Sequence, residues 1–137
     1  MLPVECLCIL ARRTARSLTD VYDRALEPSG LKVTQFSLLR AIDRLQNSSL
    51  TDMAQATGLD RSTLGRNLRV LAKDGLVSLS QGKDERTRVP KLNANAKKAL
   101  RIAQPLWEEA QRKMASTLPQ DAIKNLQKIS SALEQMH

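Results

Sequence analysis

The sequence predicts a mostly α-helical fold with one small β-hairpin, and three observations support this prediction. Apolar residues recur at helical spacing through most of the 137-residue chain. Between Leu76 and Leu92, two short strand-like runs, 76–80 and 86–92, instead flank a turn of glycine and charged residues. No repeat, low-complexity tract or Pro- and Gly-rich linker divides the chain, so we expect a single domain over residues 1–137.

The first two helices are predicted from their apolar spacing and from the residues that end them. The first helix runs from about Cys6 to Leu26 and stops at the Pro- and Gly-containing turn 27–30. The second begins near Thr34, whose hydroxyl is predicted to cap its first turn. It ends before the polar run 47–49.

A helix-turn-helix is predicted in the middle of the chain. Residues 50–56 form a short helix, and the turn after it contains Gly58. Asp60 is placed to accept the free N–H groups of the next helix, which ends at Gly75. The buried face of that second helix consists of Leu64, Leu68 and Leu71. A helix, a tight turn and a capped second helix together are typical of a helix-turn-helix.

A basic β-hairpin, or wing, and two more helices complete the fold. Pro90 restricts the second strand of the wing to a sheet edge or a strand end. A long helix follows from Ala94 to Ala115, and a last helix starts at Pro119. The first and last helices carry more apolar residues than a small lobe can cover, and such patches usually mark an interface.

The positive charge of the chain is concentrated in one block. The net charge is +8 at pH 7. Residues 61–101 hold eleven Lys or Arg and three acidic residues, whereas the rest of the chain holds eleven of each. A basic stripe flanked by neutral segments is typical of a protein that binds a polyanion. Nucleic acid is favoured over a membrane surface because the block also carries strand and turn signals.

Composition excludes most enzyme chemistries, and we expect no cofactor and no metal. The only histidine is the terminal His137, so no positioned imidazole is available as a general base. Two cysteines and that histidine cannot supply four zinc ligands. Three aromatic residues are too few to bind single strands by stacking. The longest uncharged apolar stretch, 6–11, is too short to cross a bilayer, so a cytoplasmic binding protein is expected.

Over nearly its full length, the chain resembles the MarR family of winged helix-turn-helix transcriptional regulators. The resemblance rests on LTDMAQATGLDRSTLGRNLRVLAKDGLV at 50–77 and on the wing GKDERTRVPKLNANA at 82–96. It implies a homodimer, joined through its N- and C-terminal helices, that binds a pseudo-palindromic operator in double-stranded DNA. The expected lobe for DNA is about 34–92, and the expected dimerisation helices are about 1–30 and 94–137.

Five residues of the second helix of the motif, the recognition helix, are expected to contact DNA. Ser62, Thr63 and Arg66 lie near its N-terminal end, where base edges are approached. The Arg66 guanidinium suits a bidentate contact with guanine. Arg69 and Lys73 lie further along the same face and are predicted to contact phosphates.

Five more DNA contacts are expected outside the recognition helix. Thr34 and Ser37, at the start of the second helix, could donate to phosphate. The resemblance implies that Arg86, at the wing tip, enters the minor groove and that Asp84 holds its guanidinium. Arg88 belongs to the same basic wing.

The first helix resembles that of the OhrR-like branch of the family, which senses organic hydroperoxides. Cys8, followed at matching intervals by Arg16 and Tyr22, is similar to the reactive-cysteine helix of that branch. A helix N-terminus stabilises a thiolate, and Arg12 lies one turn beyond Cys8. Cys6 is predicted to resolve a sulfenic acid on Cys8. This step would require the first turn to unwind, because side chains two residues apart in a helix face nearly opposite ways.

The predicted function is a sequence-specific regulator, most often a repressor in this family. The effector is left open between thiol oxidation by a peroxide, a small apolar or phenolic ligand, and no effector. Tyr22 and Trp107 are candidates to line a ligand pocket between the dimerisation helices and the lobe. The alternative from another class is an architectural protein that binds DNA without sequence preference through the same basic block.

Overall fold

The computed structural model describes residues 5–80 and 88–137. Its elements in chain order are α1 (Leu7–Ala25), a 3-10 turn (Glu27–Ser29), α2 (Val33–Arg44), α3 (Leu50–Thr57), α4 (Arg61–Lys73), β1 (Val77–Leu79), β2 (Pro90–Leu92), α5 (Ala94–Thr117) and α6 (Ala122–Glu134). The helical fold with a β-hairpin is confirmed. None of the described helices is both long and apolar enough to span a membrane.

The hairpin is shorter than the sequence suggests. Strands β1 and β2 pair antiparallel over three residues each, with Val77 opposite Leu92 and Leu79 opposite Pro90. Pro90 opens its strand, as predicted, because a residue without an N–H is tolerated there. Beyond the ladder, the Ser80 amide donates to the Val89 carbonyl at 3.1 Å.

The start of α2 differs from the prediction. The helix begins at Val33 with Lys32 as its N-cap, so Thr34 is the second helical residue and not the cap. The Lys32 amide donates to Gln35 Oε1 at 2.9 Å, and the Val33 amide donates to Asp23 Oδ1 at 2.8 Å. Because Asp23 in α1 satisfies this helix end from outside, no threonine cap is needed.

The helix-turn-helix has the predicted termini. Gly58 ends α3 with a positive φ of 75°, a conformation that favours glycine. The Asp60 carboxylate caps α4 by accepting the Thr63 amide at 2.7 Å. Gly75 follows α4, also at φ 75°. These termini turn the chain sharply on both sides of α4, which places the whole helix along one edge of the lobe.

The core of the lobe is mostly aliphatic and is formed by residues of α2, α3, α4, β1 and α5 together with Leu26 and Leu31. Its most deeply buried side chains are Leu26, Phe36, Leu39, Met53, Leu64, Leu68 and Leu71. The inward leucine face predicted for α4 is confirmed. Within the described residues, no polar or charged residue is buried, so the hydrophobic effect dominates the stability of this core.

An arginine beside two neighbouring aromatic rings joins α2 to α5. The Arg40 guanidinium carbon lies 4.6 Å from the centroid of the Trp107 ring and 5.4 Å from that of Phe36. The two ring centroids are 5.9 Å apart. Trp107, a residue of α5, therefore packs against Phe36 and Arg40 of α2 within one chain.

The first and last helices leave apolar side chains uncovered. Neither α1 nor α6, both wholly described, contains a buried residue. The apolar stripe of α6 is at least half exposed at every position, from 50 % at Ile129 to 79 % at Met136 just beyond the helix. Its members are Ile123, Leu126, Ile129, Leu133 and Met136. α1 similarly exposes Leu7, Ile9 and Leu10.

Candidate nucleic-acid interface

The face of α4 opposite the core carries polar and basic side chains. Steps of three and four residues place its members along one stripe of the helix. These members are Ser62, Arg66, Arg69 and Lys73, and all four are exposed. The stripe predicted from sequence is thus one continuous surface on the outer edge of the lobe.

The N-terminal end of this stripe is organised by Asp60. Its Oδ1 accepts the Thr63 amide at 2.7 Å and the Ser62 hydroxyl at 3.0 Å. The Arg66 guanidinium donates to Thr63 Oγ1 at 3.4 Å. Hydrogen bonds from Thr63 and Ser62, helped by the charge of Arg66, hold the pKa of Asp60 below its ordinary value, so it is ionised at neutral pH. Sequence reasoning identified Asp60 as a cap and missed its hold on Ser62.

A groove of about 310 Å³ lies between the start of α4 and the wing. Arg61, Arg69 and Arg88 line it together with Ser62. The apolar part of its lining comes from Leu50, Leu68 and Leu79. Arg61 was not among the predicted contact residues. Its signal was its place directly after the Asp60 cap, where the first turn of a recognition helix begins.

Thr34 lies on the other side of α4. It lines a second groove, of about 190 Å³, whose opposite wall includes Asn67 and Val70 of α4. Thr34 and Ser37 are both exposed. Because Lys32 is the N-cap and Asp23 accepts the Val33 amide, capping does not account for Thr34, which shares this groove with Asn67 and Val70 of α4.

The wing supplies Leu79 and Arg88 to the first groove. Arg88 is half-buried and shares the first groove with Arg61. The two wing-tip residues predicted for the minor groove, Asp84 and Arg86, lie outside the described residues.

The two cysteines lie at the start of α1, on the surface. Both are free thiols and both are exposed. Cys8 is in the first turn, whereas Cys6 is the N-cap with extended backbone at φ −60° and ψ 122°. The helix predicted from about Cys6 thus begins at Leu7 with Cys6 as its cap, and the argument from opposite helix faces does not apply to this pair. Arg12 is exposed one turn along, and its neighbour Arg13 pairs with Glu5 at 2.7 Å.

Tyr22 is not near the cysteines of its own chain. It lies fourteen residues after Cys8 on one helix, which is about 21 Å along the axis. Its hydroxyl donates to Gln111 Oε1 of α5, and burial raises the pKa of that hydroxyl. No group of acidic, Cys or His residues among those described could hold a metal ion.

Comparisons with known proteins give consistent results. A MarR family model matches residues 29–87. The M. tuberculosis transcriptional regulator MosR in complex with DNA is 38 % identical, with a TM-score of 0.85 over 97 % of this chain and 99 % of that one. A second MosR structure is 36 % identical, with a TM-score of 0.81 over 96 % and 97 %.

A more distant structure shares the fold. The organohalide-sensing regulator RdhR, in its 2,4-dichlorophenol-bound form, is 18 % identical, with a TM-score of 0.77 over 95 % of this chain and 78 % of that one. No curated protein sequence matches the chain.

Proposed function

This chain belongs to the MarR family of DNA-binding transcriptional regulators, and from that premise we propose that it is a homodimeric repressor of a pseudo-palindromic operator. The family and the structural relatives reported above are regulators and not enzymes. One observation carries the proposal: α4 of a capped helix-turn-helix presents a polar and basic stripe, in a chain that is 38 % identical to a regulator solved on DNA. Occupancy of a promoter would block transcription.

In this proposal α4 enters the major groove with its N-terminal half against the bases. Ser62, Thr63 and Arg66 face base edges, where an arginine pairs with guanine in a bidentate manner. Arg69 and Lys73 lie further along the exposed stripe and contact phosphates, which fixes the position of the lobe without reading sequence.

Phosphate contacts on both sides of α4 extend this surface. Arg61 and Arg88 share the groove between α4 and the wing, where two guanidinium groups suit a phosphate. Thr34 and Ser37 supply exposed hydroxyls at the start of α2. The minor-groove contact stays a prediction from the resemblance and concerns Asp84 and Arg86.

The dimer is proposed to form through the segments at about 1–30 and 94–137, leaving about 34–92 to bind DNA. The apolar stripe of α6 and the apolar residues of α1 support this division, because both are uncovered in one chain. A two-fold dimer would place its recognition helices about 34 Å apart, in successive major grooves.

The test uses the reduced full-length protein and a fluorescent duplex from the DNA upstream of its own gene. Anisotropy with random-sequence competitor is expected to show at least a thousandfold preference for the upstream duplex. Arg66→Lys keeps the charge and loses the bidentate fork, so specific binding should fall about 5- to 100-fold while random binding stays unchanged. Lys73→Ala should instead weaken both equally. Equal affinity for the two duplexes would favour the architectural alternative.

We further propose that thiol oxidation releases the DNA. Cys8 is an exposed free thiol in the first turn of α1, where an oxidant can reach it. Attack on an organic hydroperoxide would give a sulfenic acid and an alcohol. Attack by the Cys6 thiol would then release water and form a disulfide. The disulfide would join the N-cap to the first turn of α1 and would disturb a helix proposed to lie in the dimer interface.

The same anisotropy assay tests this switch. Binding should be lost after an organic hydroperoxide, return after a thiol reductant, and be insensitive to oxidant in Cys8→Ser. Oxidant-insensitive binding by the wild type would contradict the switch. It would favour the competing proposal of a small apolar ligand, which the dichlorophenol-bound RdhR supports.

A further inference from the structure

We propose that Ser62 reads an exocyclic amino group, so that each operator half-site carries A or C, and not G or T, at the base Ser62 contacts. Asp60 is the positioning residue that imposes this choice. The inference rests on the proposed DNA-binding function and specifies the chemistry of one base that it recognises.

The direction of one hydrogen bond carries the inference. Ser62 Oγ lies 3.0 Å from Asp60 Oδ1. An ionised carboxylate can only accept, so the shared proton belongs to the serine hydroxyl. The same carboxylate oxygen is fixed by the Thr63 amide at 2.7 Å, and it cannot rotate away without uncapping α4. The Ser62 oxygen therefore offers only lone pairs to a further partner.

Ser62 is also the hydroxyl that is available to DNA. It is exposed on the outer stripe of α4, whereas Thr63 is half-buried. Thr63 Oγ1 already accepts a hydrogen bond from Arg66 at 3.4 Å. Of the two hydroxyls in the first turn, Ser62 is the one with both the exposure and the free lone pairs to meet a base edge.

The major groove makes this polarity informative. Adenine and cytosine present amino donors there, while guanine and thymine present carbonyl acceptors. A serine that rotates freely can meet either kind, and such a contact discriminates poorly. With its proton committed to Asp60, the Ser62 oxygen accepts from an amino group and faces a keto oxygen with lone pair against lone pair. Ser62 thus separates A and C from G and T on the contacted strand.

The first step of the test defines the half-site. Reduced full-length protein selects duplexes from a random library, and the enriched half-site is read by sequencing. Absence of any enriched sequence would contradict the proposed function itself. An enriched sequence would support sequence-specific DNA binding, so that the second step tests only the contact made by Ser62.

The second step deletes single groups from the selected duplex. Purine in place of adenine and 2-pyrimidinone in place of cytosine remove the amino group. 2-Aminopurine in place of guanine and 5-methyl-2-pyrimidinone in place of thymine remove the keto oxygen. One amino deletion, placed in only one of the two half-sites, should weaken the wild type about 2- to 12-fold, the range of one net hydrogen bond, and should leave Ser62→Ala unaffected. A keto deletion that behaves this way, or no coupled position, would overturn the inference.

Two further variants separate the positioning role from general disturbance. Glycine is tolerated at an N-cap, and Asp60→Gly releases the Ser62 hydroxyl. The ratio of the affinity for A or C to the affinity for G or T at the coupled base should therefore fall toward one. An unchanged preference would show that Asp60 does not orient Ser62. Ser116→Ala is the control, because its exposed hydroxyl donates to the Lys113 carbonyl at 3.0 Å far along the chain. Circular dichroism checks that each variant is folded. If Asp60→Gly is unfolded, the comparison of the wild type with Ser62→Ala on the modified duplexes tests the inference instead.

Discussion

At the scale of the residue, Arg40 shows how one charged side chain ties two helices together. Its guanidinium lies over the Trp107 ring at 4.6 Å and over the Phe36 ring at 5.4 Å, and Arg40 is half-buried. A cation over an aromatic face is attracted by the quadrupole of the ring, more strongly when water is partly excluded. Arg40 therefore stabilises the contact between α2 and α5.

Arg40→Gln should lower the free energy of unfolding by about 1 kcal/mol, because the side chain keeps much of its stem and loses its charge over the rings. Urea unfolding at one protein concentration measures this, with the fluorescence of Trp107, the single tryptophan, as the probe. Arg44 is exposed one turn further along α2, and Arg44→Gln is the matched control. It should lower the free energy of unfolding by less than half as much as Arg40→Gln. Equal losses in both variants would contradict a specific role for Arg40.

Residue-level prediction succeeded where the partner is close in sequence. Asp60 was identified as a cap because its target, the Thr63 amide, is three residues away. Thr34 was wrongly identified as the cap of α2, because the group that accepts the Val33 amide is Asp23, ten residues earlier in another helix. Sequence spacing predicts the contact between Asp60 and the Thr63 amide, whereas the contact between Asp23 and the Val33 amide depends on how α1 and α2 pack.

At the scale of the element, two glycines near α4 have opposite roles. Gly65 lies inside the helix, where an added Cβ would meet Arg69 Nη1 at 3.7 Å, an ordinary contact. Gly75 follows the helix at φ +75°, a conformation that L side chains rarely adopt. Only Gly75 is needed for its backbone conformation.

Alanine at these two positions should shift stability in opposite directions. Gly65→Ala should raise the free energy of unfolding by about 0.5–1 kcal/mol, since glycine loses more backbone entropy in a helix. Gly75→Ala should lower it by about 1–2 kcal/mol through steric strain in the left-handed region. Urea midpoints of both variants against the wild type measure the effect. Shifts of the same sign would contradict these roles.

Element boundaries were predicted best where a cap or glycine marks them. The ends of α4 follow Asp60 and Gly75 closely. The last helix begins at Ala122 and not at Pro119, because the first residues form a turn in which the Ala122 amide donates to the Pro119 carbonyl. The wing strands are shorter than predicted, since alternation of residue types does not report where cross-strand hydrogen bonds stop.

At the scale of the whole molecule, α6 provides the test of assembly. Leu126→Glu places a charge in the exposed apolar stripe and should convert the proposed dimer to monomer, because an unpaired carboxylate is costly in an apolar interface. Lys128→Glu introduces the same residue on the polar face of the helix and should leave the dimer intact. Light scattering coupled to gel filtration measures both masses. A monomeric wild type would contradict the dimer.

The site residues on α4 were predictable from sequence, whereas the grouping of residues from different elements was less predictable. Periodicity alone placed Ser62, Arg66, Arg69 and Lys73 on one surface, because a helix repeats regularly. The inclusion of Arg61 and Arg88 in one groove depends on how the hairpin packs against α4, and no local spacing encodes that. Tyr22 and Cys8, joined by resemblance, lie far apart in the single chain.

The uncovered stripes of α1 and α6 also have a consequence for dosage. A dimer assembled through them obeys mass action, so its amount rises with the square of chain concentration while monomer predominates. Occupancy of an operator would then respond steeply to how much protein the cell makes. A twofold drop in expression would cut the binding species about fourfold in that regime. The exposed apolar residues of α1 and α6 would thus set the protein concentration above which repression begins.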